Sequence, residues 1–320
     1  MKKRQWYQFI IFVLVPVVAG LVAAPEKVAA ATAPPVVTTE WLQKNLDAPG
    51  LVVIDVRTEA NYEFAHIPGA VNSPYLGWEP FHSERQCQLM TTPEEFTKMM
   101  QDLGLNDSSY VIIYDHGNTE SDATKGGAAV WIMQSMGHDR VSYLDGGFTK
   151  WTFEGRLVDN KIPTPEHGDF VARRDSSKVA TMQEVSDNLQ TREWVLVDDR
   201  NAFQYFGTTK HGNAMRYGHL PGALCWPAAF MTNAGINRAP ATLKSTDELE
   251  AMAKGVGIPG DRKTKIITYC NSGQQAGMAY FVLHNLLGYE NVKVYDGSIL
   301  EYSVAEDLPL VKFTWGQAGE

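Results

Sequence analysis

The stretch LVVIDVRTEANYEFAHIPGAV, residues 51–71, returns later in the chain as VLVDDRNAFQYFGTTKHGNAMRYGHLPGAL, residues 195–224. Both open on an apolar run, pass through Asp-x-Arg and close on His-x-Pro-Gly-Ala. Arg57 to His66 spans nine positions and Arg200 to His219 nineteen, so the second copy carries ten extra residues. The order then continues. YVIIYDHGN (110–118) and MGHDRVSYLDGGF (136–148) are echoed by KIITYCNSG (265–273) and LGYENVKVYDGSI (287–299). Self-similarity sustained in this order marks a tandem duplication.

Each copy reads as a short apolar strand, a turn, a helical stretch, a second apolar strand ending in Tyr114 or Tyr269, a helix, and a third strand ending in Asp-Gly. Such alternation predicts an α/β fold, a parallel sheet flanked by helices in each copy. The copies are expected over residues 36–158 and 179–310. Between them DNKIPTPEHGDFVARRDSSK, residues 159–178, has prolines and charges but little periodicity and reads as a linker.

With 320 residues, 44% hydrophobic and 11% aromatic, the chain is long enough for two ordinary cores. Its 28 basic and 37 acidic side chains give a formal charge of −9, with no basic run to track a phosphate backbone, which argues against nucleic acid as a partner. The N-terminus is basic at Lys2, Lys3 and Arg4, apolar to Ala24 and Ala-rich to Ala33. That order is expected of a signal peptide over residues 1–31, removed on export to the periplasm or beyond. An uncleaved anchor is the competing reading, because the apolar run is near the ~20 residues that span a bilayer.

There are three cysteines, Cys87, Cys225 and Cys270, too few for a disulfide framework and without the Cys and His spacing of a metal site. Pairing of Cys87 with Cys225 stays open. Cys270 follows the apolar strand KIITY and precedes a helix with Met278, Val282, Leu283, Leu286 and Leu287 at helical spacing. This places the thiol at the carboxyl edge of a parallel sheet, where open α/β folds bind ligands. The backbone N–H groups of Asn271, Ser272 and Gly273 are expected to converge on the sulfur and, with the helix N-terminus, to hold it as thiolate. The first copy has Asp115 at this position, in a loop read as four residues longer. A residue that only fills a core would be similar in both copies. Asp198 and Arg200, like Asp55 and Arg57, read as structural pairs because both copies carry them, and His66 and His219 read as turn-fixing residues.

These motifs together, the paired Asp-x-Arg and HIPGAV/HLPGAL elements, LDGGFTKW, VYDGS and the single cysteine loop, resemble the tandem-domain rhodanese family of thiosulfate and 3-mercaptopyruvate sulfurtransferases, of the exported bacterial type. The resemblance runs from about Val36 to Leu310. It implies a non-catalytic first domain and a catalytic second one, in which Cys270 takes a sulfane sulfur from a small donor and passes it from a persulfide to a thiol or cyanide-like acceptor. It implies no cofactor and no metal; it names no protein partner. The substrate contacts it implies are Asn271, Ser272, Gly273, Gln274 and Gln275, with Gln204 standing where the family carries an arginine. Thiosulfate-specific members resemble Cys-Arg-Lys-Gly-Val-Thr in the loop and mercaptopyruvate-specific members Cys-Gly-Ser-Gly-Val-Thr; this loop has no basic pair. Arg216 is the candidate to restore the missing charge, ahead of Lys210. Two alternatives remain: a non-enzymatic sulfur carrier or binding module, and, more remotely, a rhodanese-like phosphatase or arsenate reductase. The last would need Cys-x5-Arg, and the sixth residue after Cys270 is Ala276.

Overall fold

A computed structural model describes residues 33–85, 87–233 and 239–315; the leader read in residues 1–31 lies outside them. In the first copy β1 (Val36–Val37), β2 (Leu51–Asp55), β3 (Val71–Asn72), β4 (Tyr110–Tyr114) and β5 (Val141–Leu144) form a parallel sheet in the order β1-β5-β4-β2-β3. In the second copy β6 (Val179–Ala180), β7 (Val195–Asp198), β8 (Leu224–Cys225), β9 (Lys265–Tyr269) and β10 (Asn291–Tyr295) repeat it as β6-β10-β9-β7-β8. The outer strands of two residues escape a reading by periodicity, since two residues cannot show an alternation. β4 is buried along its whole length because helices cover both faces, which is why YVIIY is continuously apolar.

The helices are α1 (Thr39–Asn45), α2 (Glu59–Phe64), α3 (Pro93–Asp102), α4 (Glu120–Ser135) and α5 (Gly147–Phe153) in the first copy. The second copy has α6 (Met182–Thr191), α7 (Ala202–Phe206), α8 (Thr246–Gly255), α9 (Gln274–Tyr280) and α10 (Ser298–Tyr302). α9 continues as a π-helix over Phe281–Leu286. Capping boxes start four of them: Thr92 with Glu95, Thr119 with Asp122, Thr181 with Glu184 and Ser245 with Glu248. The Thr119 box corrects the loop length read from sequence. α4 begins at Glu120, so the Asp115 loop (115–119) exceeds the Cys270 loop (270–273) by one residue, not four.

α4 and α9, the helices that follow these two loops, pack on each other and join the copies. Small residues allow the close approach. A Cβ on Gly277 would stand 2.8 Å from Ala128 Cα, and one on Gly127 3.1 Å from Met278 Cα. Each copy also sends a segment to the other's sheet edge: Leu243 N–H donates to Asp145 Oδ1 at 2.8 Å, and Met90 N–H donates to Asp296 Oδ2 at 2.9 Å. Residues 159–175 have no helix but run along the first copy, with Gly168 N–H on Gln101 O and Arg173 N–H on Met136 O, both at 2.9 Å.

The residues shared by both copies hold strand ends. Arg57 clamps Asp55 through Nε and Nη2, and Arg200 clamps Asp198 in the same way. Both pairs are buried. His66 stacks on Tyr62 and bonds to its carbonyl, and His219 does the same with Tyr205, so both fix turns.

Candidate active site

Cys270 sits immediately after β9 with 1% of its surface exposed. Its N–H donates to Ser298 Oγ at 3.1 Å, and Ser298 Oγ donates to Tyr295 O at 2.7 Å. Ser298 holds a left-handed φ of 49°, a conformation that costs a non-glycine residue energy and that Gly147 occupies in the first copy. The hydroxyl thus bridges the backbone of the cysteine loop to the end of β10.

The backbone N–H groups of Ala276, Ser272 and Gln275, in that order, act on the sulfur and pull its pKa down; Ser272 is one of the expected set, and Gln275 and Ala276 come from the start of α9. The reason is that the loop turns at Gly273 (φ 91°) directly into α9, so the first helical N–H groups reach back to the thiol. Burial outweighs them and pushes the thiol up to about 11, with the Asp199 carboxyl adding to the rise. The resting sulfur is a thiol, against the expectation of a thiolate.

The other expected residues divide. Asn271 Nδ2 donates to Gln204 Oε1 at 3.1 Å, so Gln204 does reach the cysteine loop. Gln274 Nε2 donates to Thr124 Oγ1 at 2.7 Å, which ties the loop to α4 of the first copy. Arg216 is not brought to the site. Its guanidinium donates to the carbonyls of Ser303, Leu308, Tyr302 and Ala305, using four of its five N–H groups to close the turn after α10. Lys210 donates to Ala214 O within the inserted segment. Neither supplies charge to a donor. Cys87 and Cys225 are unpaired, and burial pushes each thiol up to about 12.

Sequence reasoning missed three carboxyls around the loop. A Cβ on Gly273 would lie 2.8 Å from Glu79 Oε1 and 3.0 Å from Asp296 Oδ1, so glycine is required there and two acids flank it. Glu79 comes from the first copy, where Tyr75 Oη donates to its Oε2 at 2.6 Å, and no motif near Cys270 could announce it. Asp199 is the third, fully buried, and neither of its oxygens is hydrogen-bonded among the described residues. Comparing the copies at the middle of Asp-x-Arg, Val56 against Asp199, would have found it.

All three are pushed up by burial, Asp296 to about 7, as is Asp115 in the first copy. A carboxyl that stays protonated when folded contributes stability that is full below its unfolded pKa near 4 and is lost as pH rises through the folded value. Asp115 is wedged between Gly126 and Gly147 beside Tyr143. Asp115→Asn is expected to remove a slope of about 1.4 kcal/mol per pH unit between pH 5 and 7. His138 and His219, pushed down by burial, act in the opposite sense, so the quantity to read is wild type minus variant in chemical denaturation. Parallel stability curves for the two would contradict it.

A rhodanese-like domain family model matches residues 38–154 and 181–305. The sulfur carrier protein TtuD of Thermus thermophilus is 32% identical over 287 residues, 86% of this chain and 96% of that protein. A Mycolicibacterium smegmatis protein named as a thiosulfate sulfurtransferase is 31% identical over 282 residues, again 86% of this chain and 96% of the relative. Among solved structures, the 3-mercaptopyruvate sulfurtransferase SseA of Escherichia coli matches with a TM-score of 0.71 at 29% identity, covering 83% of this chain and 99% of that one.

Proposed function

The chain belongs to the rhodanese-like family, and from that premise we propose that it is a sulfurtransferase whose Cys270 takes a sulfane sulfur from a small donor, holds it as a persulfide and passes it to a thiophilic acceptor. The observation that carries this is the asymmetry of the copies: one thiol, at a strand end, with the N–H groups of Ala276, Ser272 and Gln275 on its sulfur, where the first copy has Asp115. A transferred sulfur on Cys270 would be an anion in that cradle, and preorganised N–H donors stabilise it at no cost of reorganisation.

The donor is read from the charges. Among the described residues the loop is flanked by Glu79, Asp199 and Asp296, and Arg216 and Lys210 are engaged elsewhere. Thiosulfate, a dianion, therefore meets no neutralising cation from these groups, whereas a donor with one charge or none needs fewer. Thiosulfate is expected to turn over with a high KM. Gln204→Arg, which places a guanidinium beside Asn271, is expected to lower that KM by about 10-fold or more, since one charge-assisted hydrogen bond contributes roughly 1.5–3 kcal/mol. Steady-state kinetics with thiosulfate and 3-mercaptopyruvate checks this, and a micromolar KM for thiosulfate in the wild type would contradict it.

A second reading is a non-enzymatic sulfur carrier, favoured by the name of the Thermus thermophilus relative. Multiple turnovers with a small donor separate the two. The basic, apolar and small-residue order at the N-terminus supports export to the periplasm. Among the described residues no helix is long and apolar enough to cross a membrane. N-terminal sequencing that found Met1 on cytosolic protein would overturn the export reading.

A further inference from the structure

Asp199 has no part in the fold that a smaller or apolar side chain could not play. Asp198 pairs with Tyr269 across β7 and β9, and Asp199 N–H donates to Tyr269 O at 2.9 Å. The next residue on each strand, Asp199 and Cys270, thus leaves the sheet side by side. Alternation puts Asp198 and Tyr269 on one face and Asp199 and Cys270 on the other. Cys270 accordingly joins the large core cluster with Val197, while Tyr269 belongs to the cluster of Leu196 and Ile267. The Asp198 carboxylate is taken by Arg200; the Asp199 carboxyl has no hydrogen-bond partner among the described residues and no exposure. A buried carboxyl with nothing bonded to it costs stability, so its presence calls for a reason. The first copy inverts the arrangement, with Val56 beside Asp115. An acid stands at this position in the copy that carries the thiol.

Resting on the sulfurtransferase reading above, we propose that Asp199 carries the proton of the Cys270 cycle. In discharge, the acceptor thiol ionises and gives its proton to solvent, the anionic outer sulfur of the Cys270 persulfide takes a proton from solvent in its place, and the acceptor thiolate attacks that sulfur. The bond between that sulfur and Sγ breaks, its electron pair stays on Sγ, and the Asp199 carboxylic acid gives Sγ its proton. The products are the acceptor persulfide, the Cys270 thiol and the Asp199 carboxylate. In loading, Sγ bonds to the donor's transferable sulfur, the donor's bond to that sulfur (S–S in thiosulfate, C–S in 3-mercaptopyruvate) breaks with its electron pair on the leaving group, the outer sulfur is left as an anion in the cradle, and the thiol proton returns to Asp199. Charge and protons balance over the two halves, with no oxidant or reductant. The need follows from the burial of Cys270: a thiolate there is poorly solvated and leaves slowly unless it is protonated as it forms.

The ionisable groups acting on Asp199 are Asp198, paired with Arg200, on its own strand, Cys270 beside it and Cys225 on β8 opposite Asp198; Tyr75, Glu79 and Asp296 stand around the cysteine loop. Burial pushes Asp296 up to about 7, so Asp296→Asn is the control for any pH profile.

The test is single-turnover discharge. Full-length wild type, Asp199→Asn and Asp199→Val are loaded with excess donor, loading is confirmed by a gain of about 32 Da, and discharge to dithiothreitol is followed from pH 5 to 8.5 in H₂O and D₂O. Discharge from Asp199→Asn and Asp199→Val is expected to be about 100-fold slower, with the solvent isotope effect and the fall in rate on the alkaline side of the pH profile lost. Asp199→Val carries the residue of the first copy and relieves the unpaired carboxyl, so it keeps the comparison valid should the asparagine variant fail to fold. Discharge within twofold of wild type, with the same pH profile, would overturn the inference and leave the sulfurtransferase reading standing. A wild type that takes up no sulfur would overturn that reading itself.

Discussion

Cys270→Ser is expected to lower sulfur transfer by at least about 1,000-fold, while Cys87→Ser and Cys225→Ser stay within a few-fold of wild type. The hydroxyl of serine fits the cradle, so the loss reports chemistry and not folding. The Cys270 thiol is the one held by backbone donors at a sheet edge. Cys87 lies in the core cluster beside Tyr295, and Cys225 lies within β8 on the Asp198 side. Both have thiols pushed up to about 12 by burial with no such donors, which keeps them inert. Steady-state rates of the three variants with one donor check the ordering; transfer that survived in Cys270→Ser would contradict it.

Arg200→Met is expected to destabilise the chain by about 3–5 kcal/mol, because it leaves the Asp198 carboxylate buried without its partner. The arginine also donates to Gly218 O at 2.8 Å, which anchors the turn before His219. Arg57→Met in the first copy is expected to cost a similar amount, since Arg57 clamps Asp55 and donates to Ala65 O at 2.7 Å. Replacing both partners at once, Asp198→Asn with Arg200→Met, is expected to recover part of the loss, because no charge is then stranded. Chemical denaturation measures all three. A loss below about 1 kcal/mol for Arg200→Met would mean the pair is not the strand-end lock described here.

The duplication made most of the fold legible, and the reason is physical. Long runs such as YVIIY and KIITY are apolar because both sheet faces are covered, and a signal repeated in the same order in two copies is far stronger than either alone. The same comparison located Cys270 against Asp115. What it could not reach depends on contacts between the copies. Glu79 lies 191 residues before Cys270 and meets its loop through the docking of α4 on α9, a juxtaposition that no local pattern encodes. Arg216 shows the converse. Its place just before the His-Leu-Pro-Gly-Ala turn suggested an anion contact, but its fork geometry fits the unpaired carbonyls after α10. The thiolate expectation failed for another reason: the N–H donors were foreseen, but the extent of burial, which sets the balance against them, belongs to tertiary packing. The contrast of Asp199 with Val56 is legible in the sequence, but its burial without a hydrogen-bond partner among the described residues depends on tertiary packing.

The most direct measurement is to load the purified full-length chain with a sulfane-sulfur donor, digest it without reductant and map the added mass by peptide. The account predicts one gain of about 32 Da, on the peptide containing Cys270, lost again when a thiol acceptor is added. A gain on the Cys87 or Cys225 peptide, or none that an acceptor can remove, would contradict it.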